Sequence, residues 1–166
     1  MIELVIRELR VGEVGEGHVL LLQDRAGQRV VAVWISSVAA ADHMQAVNPE
    51  ADADPAHPTR IDLIHELLSV LDATIQEVRI TGETDGVFDC EVVVNDNVVA
   101  CRLSDGVAVA ARAGVPVMIE AGLLDRVGLQ WDAAIDNVAP AWNDHYSTMK
   151  SFREFLEGVD PGDFQP

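Results

Sequence analysis

The chain has 166 residues, 49% of them hydrophobic and 5% aromatic, and its 11 Lys and Arg against 28 Asp and Glu give a formal net charge of −17. That length fits one domain with a short appendage, built on an aliphatic core of Val, Ile, Leu and Ala. The charge argues against a static nucleic-acid binder, whose affinity comes from Lys and Arg neutralising phosphates. Solubility is the plainer role for such acidity, and an acidic enzyme acting on nucleic acid needs metal ions between its carboxylates and the phosphates.

No apolar stretch approaches the ~20 residues that span a bilayer, so no membrane partner is expected. The start "MIELVIRELR" has no basic segment followed by an apolar one, which predicts no signal peptide and a cytoplasmic location. Two cysteines, Cys90 and Cys101, are too few for a disulfide scaffold or a Cys-based zinc site.

In chain order, "IELVIRELRV" (2–11), "HVLLLQD" and "RVVAVWIS" predict a three-stranded antiparallel meander, with turns at "GEVGEG" (12–17) and Ala26-Gly27. "SSVAAADHMQAV" (36–47) predicts a helix with Ser36 or Ser37 as N-cap. "NPEADADPAHP" (48–58) is a loop with three prolines and three acids, of a length usual for functional or disordered segments. "TRIDLIHELLSVLDA" (59–73) predicts the clearest helix, N-capped by Thr59. Its apolar stripe is Ile61, Ile64, Leu68 and Leu71, widened by Leu63 and Leu67. "TIQEVRITGE", "GVFDCEVVVN" and "VVACRL" predict three strands joined by the hairpin chemistry of Asp85-Gly86 and Asn95-Asp96-Asn97. A helix of small residues (104–113) ends at Gly114, and "PVMIE" and "AGLLDRVG" predict a short strand and a last helical turn or two. The fold class is α+β: an antiparallel-rich mixed β-sheet packed by two main helices, 59–73 and 104–113. Residues 1–130 form the domain, and 131–166 a C-terminal helical appendage with a short amphipathic helix ("SFREFLEG") and an acidic tail.

Three constellations bear on chemistry. Asp62, His65, Glu66 and Ser69 share one helical face, with His43 and His57 near in sequence, a spacing that suits a metal. The solvated face of any amphipathic helix gives the same spacing. The seven acids between Asp42 and Asp72, against Arg60 alone, read as a solvated loop and helix rather than an acidic wall. Cys90 and Cys101 read as buried, reduced core thiols on facing strands; a register uncertain by one residue leaves direct opposition open.

The third constellation is Arg102-x-Ser104-Asp105. Its structural reading makes Ser104 an N-cap, places Asp105 at the first helical position in the favourable field of the helix dipole, and pairs it with Arg102. Its catalytic reading sets Arg102 on a phosphate and Asp105 on a metal or attacking water, which requires a cation. No Ser-His-Asp or Cys-His nucleophile spacing, P-loop or dinucleotide glycine pattern is present.

The same stretch, "CRLSDGVAVAARAGVPVMI", resembles the D-A-R-P-S-D-A-I-A-L-A-x-R-x-x-x-P-I block of the bifunctional nuclease (BFN) domain family. "VVAVWIS" is similar to that family's V-L-P-I-W-I-G strand, and "HPTRIDLIHELLSVLDATIQEVRIT" to its R-P-x-T-H-D-L-x-x-x-L-x-x-L-G-A-x-x-x-x-V-x-I block. "DGVFDCEVVV" is similar to D-G-T-F-Y-A-x-L, and the tail "FREFLEGVDPGDF" to the F-R-E-F-L-D-x-V-x-P-E-D-F ending of actinobacterial members. Trp34, Pro58, Asp62, Leu63, Arg102, Ser104 and Asp105 match the pattern. Ser36, His57, Arg60 and Leu103 depart from it, as do Ala39 and Ile61, which stand where the family has a Glu and a His.

The resemblance implies an α/β domain, often oligomeric, in a family assigned nuclease activity on DNA and RNA. Carried onto this chain, it implies Asp62, Arg102 and Asp105 as catalytic residues and Arg102 and Ser104 as substrate contacts; His57, which stands where the family has an Arg, is a further candidate substrate contact. Asp62, Glu66 and Asp105 would hold Mg²⁺ or Mn²⁺, and no organic cofactor is expected. The implied partners are a DNA or RNA substrate and a second copy of the chain, a dimer first, with the C-terminal tail as a candidate protein contact. The alternative is a non-catalytic binding or regulatory module that keeps the fold; a small-molecule sensor has no motif behind it. An enzyme should gather Asp62, Asp105 and Arg102 in one cleft. A module should instead show Arg102 and Asp105 mutually satisfied, with an apolar or self-association surface elsewhere.

Overall fold

The computed structural model describes residues 1–11, 17–48 and 58–131. It contains β1 (Ile2–Val11), β2 (His18–Asp24), β3 (Val30–Ile35), α1 (Ser37–Val47), α2 (Arg60–Val70), β4 (Ile75–Thr84), β5 (Val87–Val94), β6 (Asn97–Cys101), α3 (Leu103–Ala113), β7 (Val117–Ile119) and α4 (Ala121–Val127). The strands form one seven-stranded sheet in the order β3-β2-β1-β7-β4-β5-β6. Two antiparallel meanders, β1–β3 and β4–β6, are joined through β7, which runs antiparallel to β1 and parallel to β4. The α+β class and the antiparallel-rich mixed sheet are as the sequence predicts. Apart from Trp131, the expected appendage (131–166) lies outside the described residues, as does most of the 48–58 loop.

The turns follow from local chemistry. Asp85 and Gly86 carry φ of 52° and 80°, and Asn95 and Asp96 carry 45° and 63°. Two consecutive positive values match the twist of the flanking strands, and Asn, Asp and Gly are the residues that tolerate them. At the β2–β3 turn Gly27 has φ 73°. The buried Asp24 carboxylate there accepts from the backbone N–H groups of Gln28 (2.7 Å) and Arg29 (3.2 Å), which satisfies an acid that burial would otherwise penalise.

The core lies between the sheet and the helices, with Leu20, Leu22, Val78, Ile80, Val107, Ile119 and Leu123 among its fully buried side chains. A smaller cluster of Val19, Leu21 and Val30 is covered by Leu129 and Trp131. Leu129 is bridged to Val30 by backbone hydrogen bonds of 2.7 and 2.8 Å, and the Arg7 guanidinium stands over the Trp131 ring, 5.9 Å from its centroid.

α3 lies closest to the sheet, packing on β4 and β5 and supporting both α1 and α2. Its residues Gly106 to Ala110 are all buried, and Gly114, in the left-handed conformation (φ 68°), ends the helix as a glycine C′ residue commonly does. A Cβ on Gly106 would stand 2.9 Å from the Cys90 sulfur, 3.0 Å from the Cys101 sulfur and 3.1 Å from Val78 Cγ1. Glycine is therefore what permits this approach.

α1 is capped by Ser36, whose hydroxyl accepts from Ala39 N–H at 3.2 Å. It is a third helix of the layer, beside the two main ones the sequence predicts. α2 departs from expectation in what it buries. Of its apolar stripe only Ile61 is buried and Leu68 half-buried, while Leu63, Ile64, Leu67, Val70 and Leu71 are exposed, the last two by 77% and 71%. The cause is placement: α2 leans on α3 along one edge rather than lying across the sheet. Its apolar face is thus left without cover among the described residues.

Candidate functional site

The chain leaves the edge strand β6 and turns directly into α3. Leu103 is buried and already helical, so the cap position falls on Arg102, whose backbone is extended (φ −71°, ψ 145°). The Arg102 carbonyl accepts from Gly106 N–H at 2.9 Å, and no side chain caps this helix. Ser104 is therefore not the N-cap the sequence predicts; it is the second helical residue and half-buried. Asp105 is the third helical residue rather than the first, still within the first turn, where the helix dipole favours a carboxylate.

Arg102 and Asp105 are both exposed, and among the described residues they form no ion pair with each other or with any third group. The predicted pair is therefore absent, although Arg102 at the cap and Asp105 in the first turn lie three residues apart. Asp105 acts electrostatically on Arg60, at the first position of α2. That guanidinium is held charged chiefly by its hydrogen bond to Asp42 of α1, with Asp105 adding a smaller push. An Asp of α1 thus pairs with an Arg of α2, and the field of an Asp on α3 reaches that guanidinium.

Asp62 is committed elsewhere. Its Oδ1 accepts from Arg112 Nε at 2.8 Å, and its Oδ2 accepts from Thr59 Oγ1 at 2.8 Å and from Thr59 N–H at 3.3 Å. Thr59 Oγ1 in turn accepts from Asp62 N–H at 3.1 Å, closing a reciprocal capping box. The Arg112 contact first, then Thr59, hold the Asp62 carboxyl below the usual carboxylate range. The pair also joins the first turn of α2 to the last turn of α3, the two helix ends where an anion and a cation are respectively favoured.

The expected metal set does not assemble. Both Asp62 oxygens are occupied by protein donors, Glu66 and His65 are exposed on α2, and no group of three or more His, Cys, Asp or Glu side chains is placed to hold a metal ion among the described residues. Asp62, Glu66 and Asp105 therefore do not fit a resident divalent cation as a common donor set. His57 lies outside the described residues. An open hollow of about 400 Å³ sits at the far end of α2, lined by His65, Ser69, Asp72 and Thr74, and contains neither Asp62, Arg102 nor Asp105. No helix among the described residues is long and apolar enough to cross a membrane.

The partners that sequence reasoning missed are Arg112 for Asp62 and Asp42 for Arg60. The first had a faint signal, a lone basic residue in the last turn of a helix otherwise made of small side chains. The second had none, since the residues lie on different helices.

The sequence profile described as the bifunctional nuclease domain matches residues 20–132, a span that holds every one of these groups. The chain belongs to the bifunctional nuclease domain family. Two relatives from Mycobacterium tuberculosis match nearly the whole chain: the uncharacterized protein MT1877 of strain CDC 1551 / Oshkosh and the uncharacterized protein Rv1829 of strain ATCC 25618 / H37Rv. Each is 32% identical over 172 aligned positions, covering 98% of this chain and 98% of its own length. The resemblance read from the sequence is thereby established for the domain, α2 and α3 included.

The Asp62–Arg112 contact carries a pH signature. A carboxyl whose folded pKa is depressed stabilises the fold fully above its unfolded value, here 3.8, and loses that contribution as pH falls through the folded value. Arg112→Gln is expected to lower stability by about 0.5–1 kcal/mol near neutral pH, discounted because both side chains are about a third exposed. The deficit should shrink toward zero at about pH 2. Urea unfolding of both proteins at the two pH values checks this; a deficit that does not change with pH would contradict it.

Proposed function

We propose that this chain hydrolyses phosphodiester bonds of DNA and RNA through the corner at the start of α3. What carries the reading is the family match over 20–132, which spans that corner, together with an Arg and an Asp left exposed and unpaired there. Arg102 offers its fork of donors to a phosphate, and Asp105 accepts the proton of an attacking water. The repulsion between Asp105 and phosphate is eased in this proposal by Arg60, whose guanidinium feels the field of Asp105. Ser104 and His57 are substrate contacts in this proposal. Asp62 is a positioning residue, fixing α2 to α3 through Arg112 rather than binding metal. No step is assigned to a resident cation. A Mg²⁺ or Mn²⁺ requirement, if the reaction has one, is met by ions that arrive with the phosphates.

The test is hydrolysis of single- and double-stranded DNA and of RNA by the purified full chain, with Mg²⁺, Mn²⁺ or EDTA, beside Asp105→Asn. Cleavage in the variant should fall by at least about 100-fold, with an unfolding midpoint close to that of the parent because Asp105 has no hydrogen-bond partner to lose among the described residues. Equal cleavage in both preparations would signal a contaminating nuclease and overturn the proposal in favour of a non-catalytic module.

One observation favours self-association under either reading. Leu63, Ile64, Leu67, Val70 and Leu71 expose a continuous apolar helix face, and such a face on a soluble domain usually marks an interface. The proposed assembly is a homodimer through α2. Sedimentation should show the wild type as a dimer and Leu67→Glu as a folded monomer; a variant that stays dimeric would exclude this face.

A further inference from the structure

Cys90 in β5 and Cys101 in β6 stand directly opposite each other in the antiparallel register, and both are free thiols. Their side chains turn to the same side of the hairpin, under the first turn of α3. The point where a Gly106 Cβ would lie is 2.9 Å from one sulfur and 3.0 Å from the other, so both sulfurs face the same point beneath the helix and act on each other's ionisation. Paired residues of antiparallel strands have Cα atoms roughly 4.5–5.5 Å apart, inside the roughly 4.4–6.8 Å that a disulfide bridges. The backbone already stands where a cross-link requires it.

The two thiols differ in access and in acidity. Cys101 lies on an edge strand and is half-buried, whereas Cys90 is buried at 3% exposure. Contact with Cys90 first, and the Gly106 N–H to a lesser degree, ease ionisation of Cys101 against opposing pushes from burial and then from Asp105 and Glu91. Contact with Cys101, together with burial, pushes the Cys90 thiol up. A reachable thiol of lowered pKa beside a buried one of raised pKa is an attacking and resolving arrangement.

We propose that Cys90 and Cys101 form a reversible cross-strand disulfide in response to a peroxide, with Cys101 attacking and Cys90 resolving. The Cys101 sulfur attacks the O–O bond of hydrogen peroxide, giving Cys101 sulfenic acid and one water. The Cys90 sulfur then displaces the sulfenic hydroxyl, which leaves with the Cys90 proton as a second water and completes the S–S bond. A dithiol reductant reverses the change by exchange. Closing the bond draws the sulfurs to about 2.05 Å and so alters what Gly106, and with it the first turn of α3, rests upon.

The test uses the native full-length chain, exposed to hydrogen peroxide, quenched, alkylated and weighed intact. The wild type should lose the mass of two hydrogens, gain no oxygen, keep no alkylatable thiol and recover both with dithiothreitol. Cys90→Ser should gain one oxygen at Cys101, trapped by dimedone. In Cys101→Ser, Cys90 should oxidise at least about tenfold more slowly. Two thiols still alkylatable after a dose that oxidises free cysteine would overturn the proposal, as would a cross-link found only between two chains. A Cys101→Ser protein oxidised as fast as wild type would overturn the assignment of Cys101 as the attacking thiol. The wild-type mass change needs neither variant to fold and no nuclease activity, so it stands or fails apart from the proposed function.

Discussion

The closeness of α3 to the β4–β5 hairpin, made possible by Gly106, is the constraint on which the other parts depend. With no side chain at that position, the helix settles onto Val78 and the two sulfurs, and its Val and Ala residues complete the core between sheet and helices. Because α3 takes the place against the sheet, α1 and α2 pack largely on α3. That arrangement sets what the two ends of α3 meet. Its last turn holds Arg112 against Asp62, and its first turn presents Arg102 and Asp105 to solvent.

How much of this was legible in the sequence depended on range. The two meanders, the positive-φ turns at Asp85-Gly86 and Asn95-Asp96, the Thr59 cap and the Gly114 stop are local chemistry, and each was readable from a few adjacent residues. The cap of α3 was misplaced by two residues, because Ser104 is a better cap by composition than Arg102, whereas Leu103 is already helical and buried. The direct opposition of Cys90 and Cys101 hung on a one-residue register that spacing leaves open. The role of Asp62 was out of reach, since its partner Arg112 lies 50 residues away and a helical polar face looks the same whether it binds metal, water or a neighbouring helix. The α2 stripe misled for a related reason: periodicity reports that a helix has an apolar face, not which surface covers it.

Family membership and charge pull in opposite directions, and the local arrangement of charges offers a reconciliation. A net charge of −17 disfavours lingering on nucleic acid, yet Arg102 is exposed at the start of α3. Under the proposed function this balance of charge suits brief encounters with a phosphodiester, not the coating of a strand. The departures Ala39 and Ile61 remove two polar groups that the family pattern carries, so whatever chemistry this copy performs falls to fewer side chains.

Two aspartates of one family pattern sit differently: Asp62 holds α2 to α3, and Asp105, exposed, is the one that the proposed function assigns to the substrate. The most direct test is turnover of Asp62→Asn on a nucleic-acid substrate the wild type cleaves, measured well below the unfolding temperature of both proteins. The account predicts a lower unfolding midpoint with turnover within a fewfold of wild type, since the amide keeps an oxygen that can accept from Arg112 or Thr59. Turnover lost with the midpoint unchanged would place Asp62 in the chemistry and contradict it.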